Sequence, residues 1–238
     1  MNKVLPIKDP VKLKEIQEEL AMETDPHWER IFLLFELGIH TGLRISDLVR
    51  LRVCHVQGEW LEMVEKKTGK VTRLPLNTTI RMILQDRLRG MDPDDLLFPS
   101  RTRYGDGSPK AITTRSAYDD IKKIAVRFNL GERIGCHTMR KTFGYWHYKN
   151  NKDLEMLRQW FNHASQAVTL RYIGMDEDEK RKSVIGFNPG GAVYKPRGAI
   201  NRGKPDKKPE PLEIKNLDRE KQGRAWGERA RQRAEKSF

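Results

Sequence analysis

Before Asn188 the apolar residues recur mostly at helical spacing, and that spacing breaks at EWLEMVEKKTGKVTRLPL (59–76). There Trp60, Glu62 and Val64 alternate with Leu61, Met63 and Glu65, the period of two that a strand imposes. Lys66, Lys67, Thr68, Gly69 and Lys70 supply a turn, and Val71 to Leu76 resume as a second strand. Such a chain is restricted to a mainly α fold with a small antiparallel β-sheet, an α+β architecture. Helices are expected near 11–22, 27–41, 45–53, 78–89, 113–128, 137–149, 153–161, 165–173 and 176–186. No internal repeat accompanies them.

The chain's 238 residues suffice for one sizeable core, and 37% of them are hydrophobic. A net charge of +13 makes a polyanion the first partner to consider, although solubility alone also accounts for such a charge. The composition changes near Asn188, where NPGGAVYKPRGAINRGKPDKKPEP begins, rich in Gly, Pro and Lys. Residues 195–238 hold 14 Lys/Arg against 7 Asp/Glu, so more than half of the excess charge lies there. The expected division is therefore a folded domain over 1–188 and a basic linker and tail over 189–238, disordered alone and able to order on a partner.

Cys54 and Cys136 stand at no metal or redox spacing and are expected as buried thiols in a reducing compartment. The most apolar run, IFLLFELGI (31–39), is too short to span a bilayer and is interrupted by Glu36. The opening MNKVLPIKDP lacks a secretory apolar region. The expectation is a cytoplasmic protein, with no membrane partner.

Four segments could carry chemistry. In GIHTGLRISDLVRL (38–51) an apolar helix stops at Thr41–Gly42 and another starts after Arg44, leaving that arginine among apolar residues. Either an anion or a structural pair with Asp47 would offset its burial. The hairpin tip KKTGK carries lysines that serve either as edge protection or as a mobile ammonium. In GCHTMRKTFGYWHYKN (135–150), His137 and Arg140 lie three apart on one helix face, offering an imidazole and a guanidinium fork to one anion. In LEMLRQWFNHASQAVTLRYIG (154–174), Tyr172 falls nine residues after His163, near the end of a helix. A lone tyrosine there is more often core filler.

In this order the segments resemble the catalytic domain of the tyrosine recombinases, the phage integrase family. TGLRISDL resembles the first arginine box, with Arg44 as its arginine and Asp47 as its acidic, orienting position. KKTGKVTRLPL resembles the hairpin with the family's lysine; Lys67 takes that position, with Lys70 as the alternative. HTMR matches the His-x-x-Arg box at His137 and Arg140, and FNHASQAVTLRY matches the last box at His163 and Tyr172. DDLLFPS (94–100) resembles the segment between hairpin and second box. The resemblance spans residues 10–187. Two features depart from it: Phe161–Asn162 stands where Leu-Gly is usual, and the residues before the first box are too few for the family's helical core-binding domain. A fragment and a single-domain member both fit that second departure.

The resemblance implies a site-specific recombinase that cleaves and rejoins strands of double-stranded DNA through a 3′-phosphotyrosyl link, without cofactor or metal. Arg44 and Arg140 would clamp the phosphate, and Tyr172 would attack it. Lys67 would protonate the leaving oxygen. His137 would assist proton transfer, and His163 would hydrogen-bond the phosphate. It further implies a homotetramer on two DNA sites, with accessory DNA-bending proteins as possible partners. A DNA-binding regulator that keeps the fold without strand exchange, and a type IB topoisomerase, are the competing expectations. His147 has no role in the resemblance and is expected to be structural or exposed.

Overall fold

The computed structural model describes residues 4–175 together with 181, 182, 184, 185 and 187. Its elements run α1 (Pro10–Ala21), α2 (Pro26–Thr41), α3 (Ile45–Leu48), a 3₁₀ turn (Val53–His55), β1 (Trp60–Val64), β2 (Val71–Pro75) and α4 (Thr78–Arg87). These are followed by β3 (Pro99–Arg103), β4 (Pro109–Ala111), α5 (Thr114–Arg127), α6 (Cys136–Asn151), α7 (Leu154–Phe161) and α8 (Gln166–Ile173). Local chemistry sets the helix starts. Asp9 and Asp25 each precede a proline and accept two backbone N–H groups, and Asn77, Thr113, Asp153 and Ser165 cap α4, α5, α7 and α8.

α2 is the central element, packing against α1, α3, α4, α5 and α6. Ile31 to Gly38 are buried without a break, as a helix surrounded on all sides requires. Glu36, the polar interruption in that run, is buried at 1% exposure. It accepts from Gln17 Nε2 at 3.1 Å and lies 3.2 Å from His40 Nε2.

β1 and β2 pair antiparallel from Trp60↔Pro75 to Val64↔Val71, as the alternation predicted. Leu61, Met63 and Leu74 point into the core, while Arg73 stacks over exposed Trp60 at 4.4 Å.

Three expectations need correction, the first being that of buried thiols, since Cys54 is exposed and Cys136 half-buried. There is a second two-stranded sheet, β3–β4, in a stretch whose strand residues are mostly exposed and polar, so no alternation betrayed it. The helix expected over 45–53 stops at Leu48, because the chain beyond it pairs with a distant segment. Leu97 N–H donates to Leu51 O, Val53 N–H donates to Asp95 O, and Arg52 bridges Leu96. That pairing buries Leu51 and Val53 and outweighs local helix preference. The helix expected at 176–186 falls largely outside the described residues, and the tail 189–238 wholly so.

Beside the main core, α6, α7 and α8 enclose a smaller aromatic one of Tyr145, Leu157, Phe161, Ile173 and Met175, fringed by Phe143, Trp160 and Tyr172. Gly144 makes that packing possible. A Cβ there would lie 2.6 Å from Ile173 Cγ2 and 2.8 Å from Phe161 Cε2. We expect Gly144→Ala to cost about 1–3 kcal/mol, measured by urea denaturation, because the rings have no room to retreat.

Candidate active site

Two helix ends create the site. α2 ends at Gly42 in the left-handed conformation (φ 63°), and a Cβ there would collide with the Phe143 ring. The turn carries Arg44 at the start of α3, and its Gly42 carbonyl accepts from Arg140 Nη1 at 2.5 Å. α7 ends at Asn162, also left-handed (φ 53°), followed at once by His163. Asparagine is the non-glycine residue best suited to that conformation, so the departure from the usual glycine leaves the geometry intact.

Arg140, buried on α6, also donates to Phe161 O at 3.4 Å and lies 4.3 Å above the Phe161 ring. Tyr172, half-buried on α8, has its hydroxyl 3.3 Å from His137 Nδ1. The tyrosine ring packs against His163 at 5.0 Å and Phe161 at 5.5 Å, with Lys141 Nζ 5.0 Å from its centre. His163 Nδ1 lies 3.1 Å from the Thr169 hydroxyl, which fixes the imidazole relative to α8. His137, Arg140, His163 and Tyr172, the residues that the family resemblance singles out, therefore share one locus.

Arg44 joins that locus through its field, since it lowers the pKa values of His137, His163 and Tyr172. Its ionic partner is Glu65, 2.6 Å from Arg44 Nη1, and the Arg44–Asp47 pair weighed from sequence does not form. Asp47 is fully buried and accepts the Lys66 N–H at 2.8 Å, while its second oxygen has no hydrogen bond. Lys67 stands exposed on the β1–β2 turn, and its charge reaches His137. Lys70, the alternative, points to Asn162 Oδ1 at 3.4 Å. His147 lies apart from the locus, between Phe143 and Trp160, and is structural.

The electrostatics follow from these neighbours. Burial pushes the Tyr172 phenol above 10, while Arg140 and Arg44 pull it back. Desolvation and the charges of Arg140, Lys141, Arg44 and Lys67 hold His137 below 6.5, and desolvation with Arg140 and Arg44 does the same to His163. Both imidazoles are thus neutral at pH 7, inside a ring of fixed cations. That arrangement fits an anion carrying several acceptor oxygens.

Sequence reasoning missed Glu65, Thr169 and Lys141. The signal for Glu65 was present: it shares the inward parity of Leu61 and Met63, where a charge needs a partner. Lys141 is buried, and its ammonium donates to Val4 O at 2.8 Å.

The profile of the phage integrase family matches residues 9–179, a span that contains every one of these groups. The chain belongs to the phage integrase family. It is 36% identical over 183 residues to a probable integrase/recombinase, YoeC, of Bacillus subtilis, covering 76% of this chain and 95% of that protein. It is 30% identical over 180 residues to the tyrosine recombinase XerC of Erythrobacter litoralis, covering 74% of this chain and 56% of XerC. The family member thus spans little more than half of that longer relative. Its fold is shared with the XerH site-specific recombinase, crystallised bound to a palindromic difH substrate as a post-cleavage complex, at a TM-score of 0.60. That match has 22% identity and covers 77% of this chain and 53% of XerH.

Two outcomes are expected from the charges of this site. In an NMR titration of the imidazoles, Lys67→Ala should raise the His137 midpoint and leave that of His163 in place, since Lys67 acts on the first alone. Stability should also respond to pH. His27, His55, His137, His147 and His163 all have lowered pKa values, so the native state binds fewer protons than the unfolded chain. Stability therefore falls as pH drops from about 6.5 through those values, which denaturation midpoints between pH 7 and pH 5 would record.

Proposed function

We propose that this integrase-family chain is a site-specific DNA strand-exchange enzyme acting through a 3′-phosphotyrosyl intermediate. The observation that carries the reading is the Tyr172 hydroxyl 3.3 Å from His137 Nδ1, on a phenol that burial makes harder to ionise and that Arg140 and Arg44 pull back toward the ionised form.

In this reaction the Tyr172 oxygen attacks phosphorus in line, and its proton passes to neutral His137. The O–P bond to tyrosine forms as the bond from phosphorus to the 5′-oxygen breaks. Arg44 and Arg140 neutralise the charge that grows on the non-bridging oxygens, and His163 adds a hydrogen bond. Lys67, on its turn, protonates the leaving 5′-oxygen as general acid. Asp47 orients the lysine-bearing turn through the Lys66 N–H. A 5′-hydroxyl from another strand then reverses the sequence. The bond energy stays in the phosphotyrosine, so the chemistry calls on no nucleotide cofactor and no metal. Exchange between two duplexes requires a nucleophile at each cleaved strand, which a homotetramer on two DNA sites supplies, with DNA-bending proteins as accessory partners. The surplus of basic residues favours double-stranded DNA as the partner.

The test is a nicked suicide duplex, from which the cleaved fragment diffuses away and traps the adduct. Wild type should give an SDS-stable protein–DNA band. Tyr172→Phe should abolish it while DNA affinity changes by less than about threefold, and Arg140→Lys should slow its formation by about 10²–10³-fold. Tight, specific binding with no adduct from wild type would instead mark a DNA-binding regulator.

A further inference from the structure

Glu65, the residue that follows β1, is buried at 9% exposure, and side chains from the α2–α3 turn, the hairpin tip and β2 converge on its carboxylate. Oε2 accepts from Arg44 Nη1 at 2.6 Å, in the turn after α2, and from the Thr68 hydroxyl at 2.8 Å, on the hairpin tip. Oε1 accepts from the Thr72 hydroxyl of β2 at 3.0 Å. Its backbone closes the same tip: Glu65 N–H donates to Lys70 O at 2.9 Å, and Gly69 N–H donates to Glu65 O at 3.0 Å. Burial alone would raise this carboxyl's pKa. The hydrogen bonds from Thr68 and Thr72 and the Arg44 charge outweigh it and hold the group below 4.5, ionised at neutral pH.

Lys67 sits between two of these anchors. The residue before it, Lys66, donates its N–H to Asp47, and the residue after it, Thr68, donates its hydroxyl to Glu65. We infer that Glu65 is a positioning residue of the proposed cleavage reaction, fixing the Lys67-bearing turn against Arg44 so that the leaving-group acid and the phosphate clamp keep one geometry. The assignment rests on the strand-cleavage reading above and adds to it a residue outside the boxes that the sequence displays.

Without Glu65 the two hydroxyls and Arg44 lose their common acceptor, and the turn is free to shift. Arg44 keeps its charge for phosphate, so the deficit should concentrate on protonation of the leaving oxygen. A substrate with sulfur in place of the bridging 5′-oxygen isolates that step. Tyrosine–phosphorus bond formation then expels a thiolate, which is stable without a proton.

Wild type, Glu65→Ala and Thr68→Val are compared on ordinary and 5′-thio suicide duplexes. Thr68→Val removes the turn's hydroxyl, with its anchor to Glu65 and the bond it accepts from the Lys70 N–H at 3.3 Å, and leaves the Glu65–Arg44 pair in place, so it answers the question even where Glu65→Ala fails to fold. On ordinary DNA the variants should form adduct about 10- to 100-fold more slowly, the cost of a misplaced acid. On the 5′-thio duplex they should come within about threefold of wild type. An equal deficit on both substrates, or no deficit on either, overturns the positioning role while the wild-type adduct upholds strand cleavage. Absence of adduct from wild type on both substrates overturns the cleavage reading, and this assignment with it.

Discussion

A guanidinium held out of water at the junction of three helices is the constraint on which the remaining architecture depends. Arg140 is 5% exposed, and a charge so placed is costly unless its donors are met. Two of them are met by the carbonyls of Gly42 and Phe161, and the Phe161 ring lies beneath the fork. Both carbonyls stand at helix C-termini, where they lack an intrahelical partner and the helix dipole is negative. α2 and α7 must therefore end where they do. Continued helices would consume the acceptors that Arg140 needs. The left-handed stops at Gly42 and Asn162 thus serve the buried charge as much as the chain direction.

That requirement carries through to the nucleophile. The chain that leaves Asn162 brings His163 and α8 directly over Phe161, so Tyr172 packs on the same ring that underlies Arg140. The segment preceding α1 fastens the assembly from outside. Ile7 N–H donates to the Thr142 hydroxyl, Trp146 Nε1 donates to Ile7 O, and Lys8 Nζ donates to the Gly174 carbonyl that ends the tyrosine helix. Lys141, bonded to Val4 O, lies beside the tyrosine ring. The resulting site concentrates cations around two neutral imidazoles. Mutual repulsion there is a cost to the unliganded fold, and it is relieved by the same anion that the site would bind.

How much of this was legible follows from which interactions are local. α2 and α6 showed themselves through long apolar periodicity. The first hairpin did so through alternation, whereas spacing alone paired His137 with Arg140 and left Tyr172 as core filler, and only the order of the boxes, through its resemblance to the family, joined them with His163 in one candidate site. The failures have the opposite character. β3–β4 is a polar hairpin with few buried side chains in its strands, so nothing in its pattern marked it. The chain beyond Leu48 left the helical state to pair with residues 94–97, a partner that no local window contains. Arg44 was suspected of needing an anion, and Asp47, three residues away, was the one side chain weighed for it besides a bound anion. Glu65, 21 residues distant, takes that place because the hairpin folds back over the α2–α3 turn.

The division between rigid and mobile positions has a physical reason in the proposed chemistry. Groups that must hold a phosphate in one orientation gain most from well-packed elements, and Arg140, His163 and Tyr172 sit on or directly beside helices packed around one aromatic core. A proton donor works under the opposite demand, because it must reach an oxygen whose position changes as the bond to phosphorus breaks. An exposed lysine on a turn supplies that reach through its flexible stem. Unrestrained, the same flexibility would disperse the ammonium over a large volume and lose the advantage of proximity. In the proposed reaction the buried carboxylates of Asp47 and Glu65 would resolve the conflict, because they hold the residues on either side of Lys67, the Lys66 N–H and the Thr68 hydroxyl, and leave the lysine side chain to move.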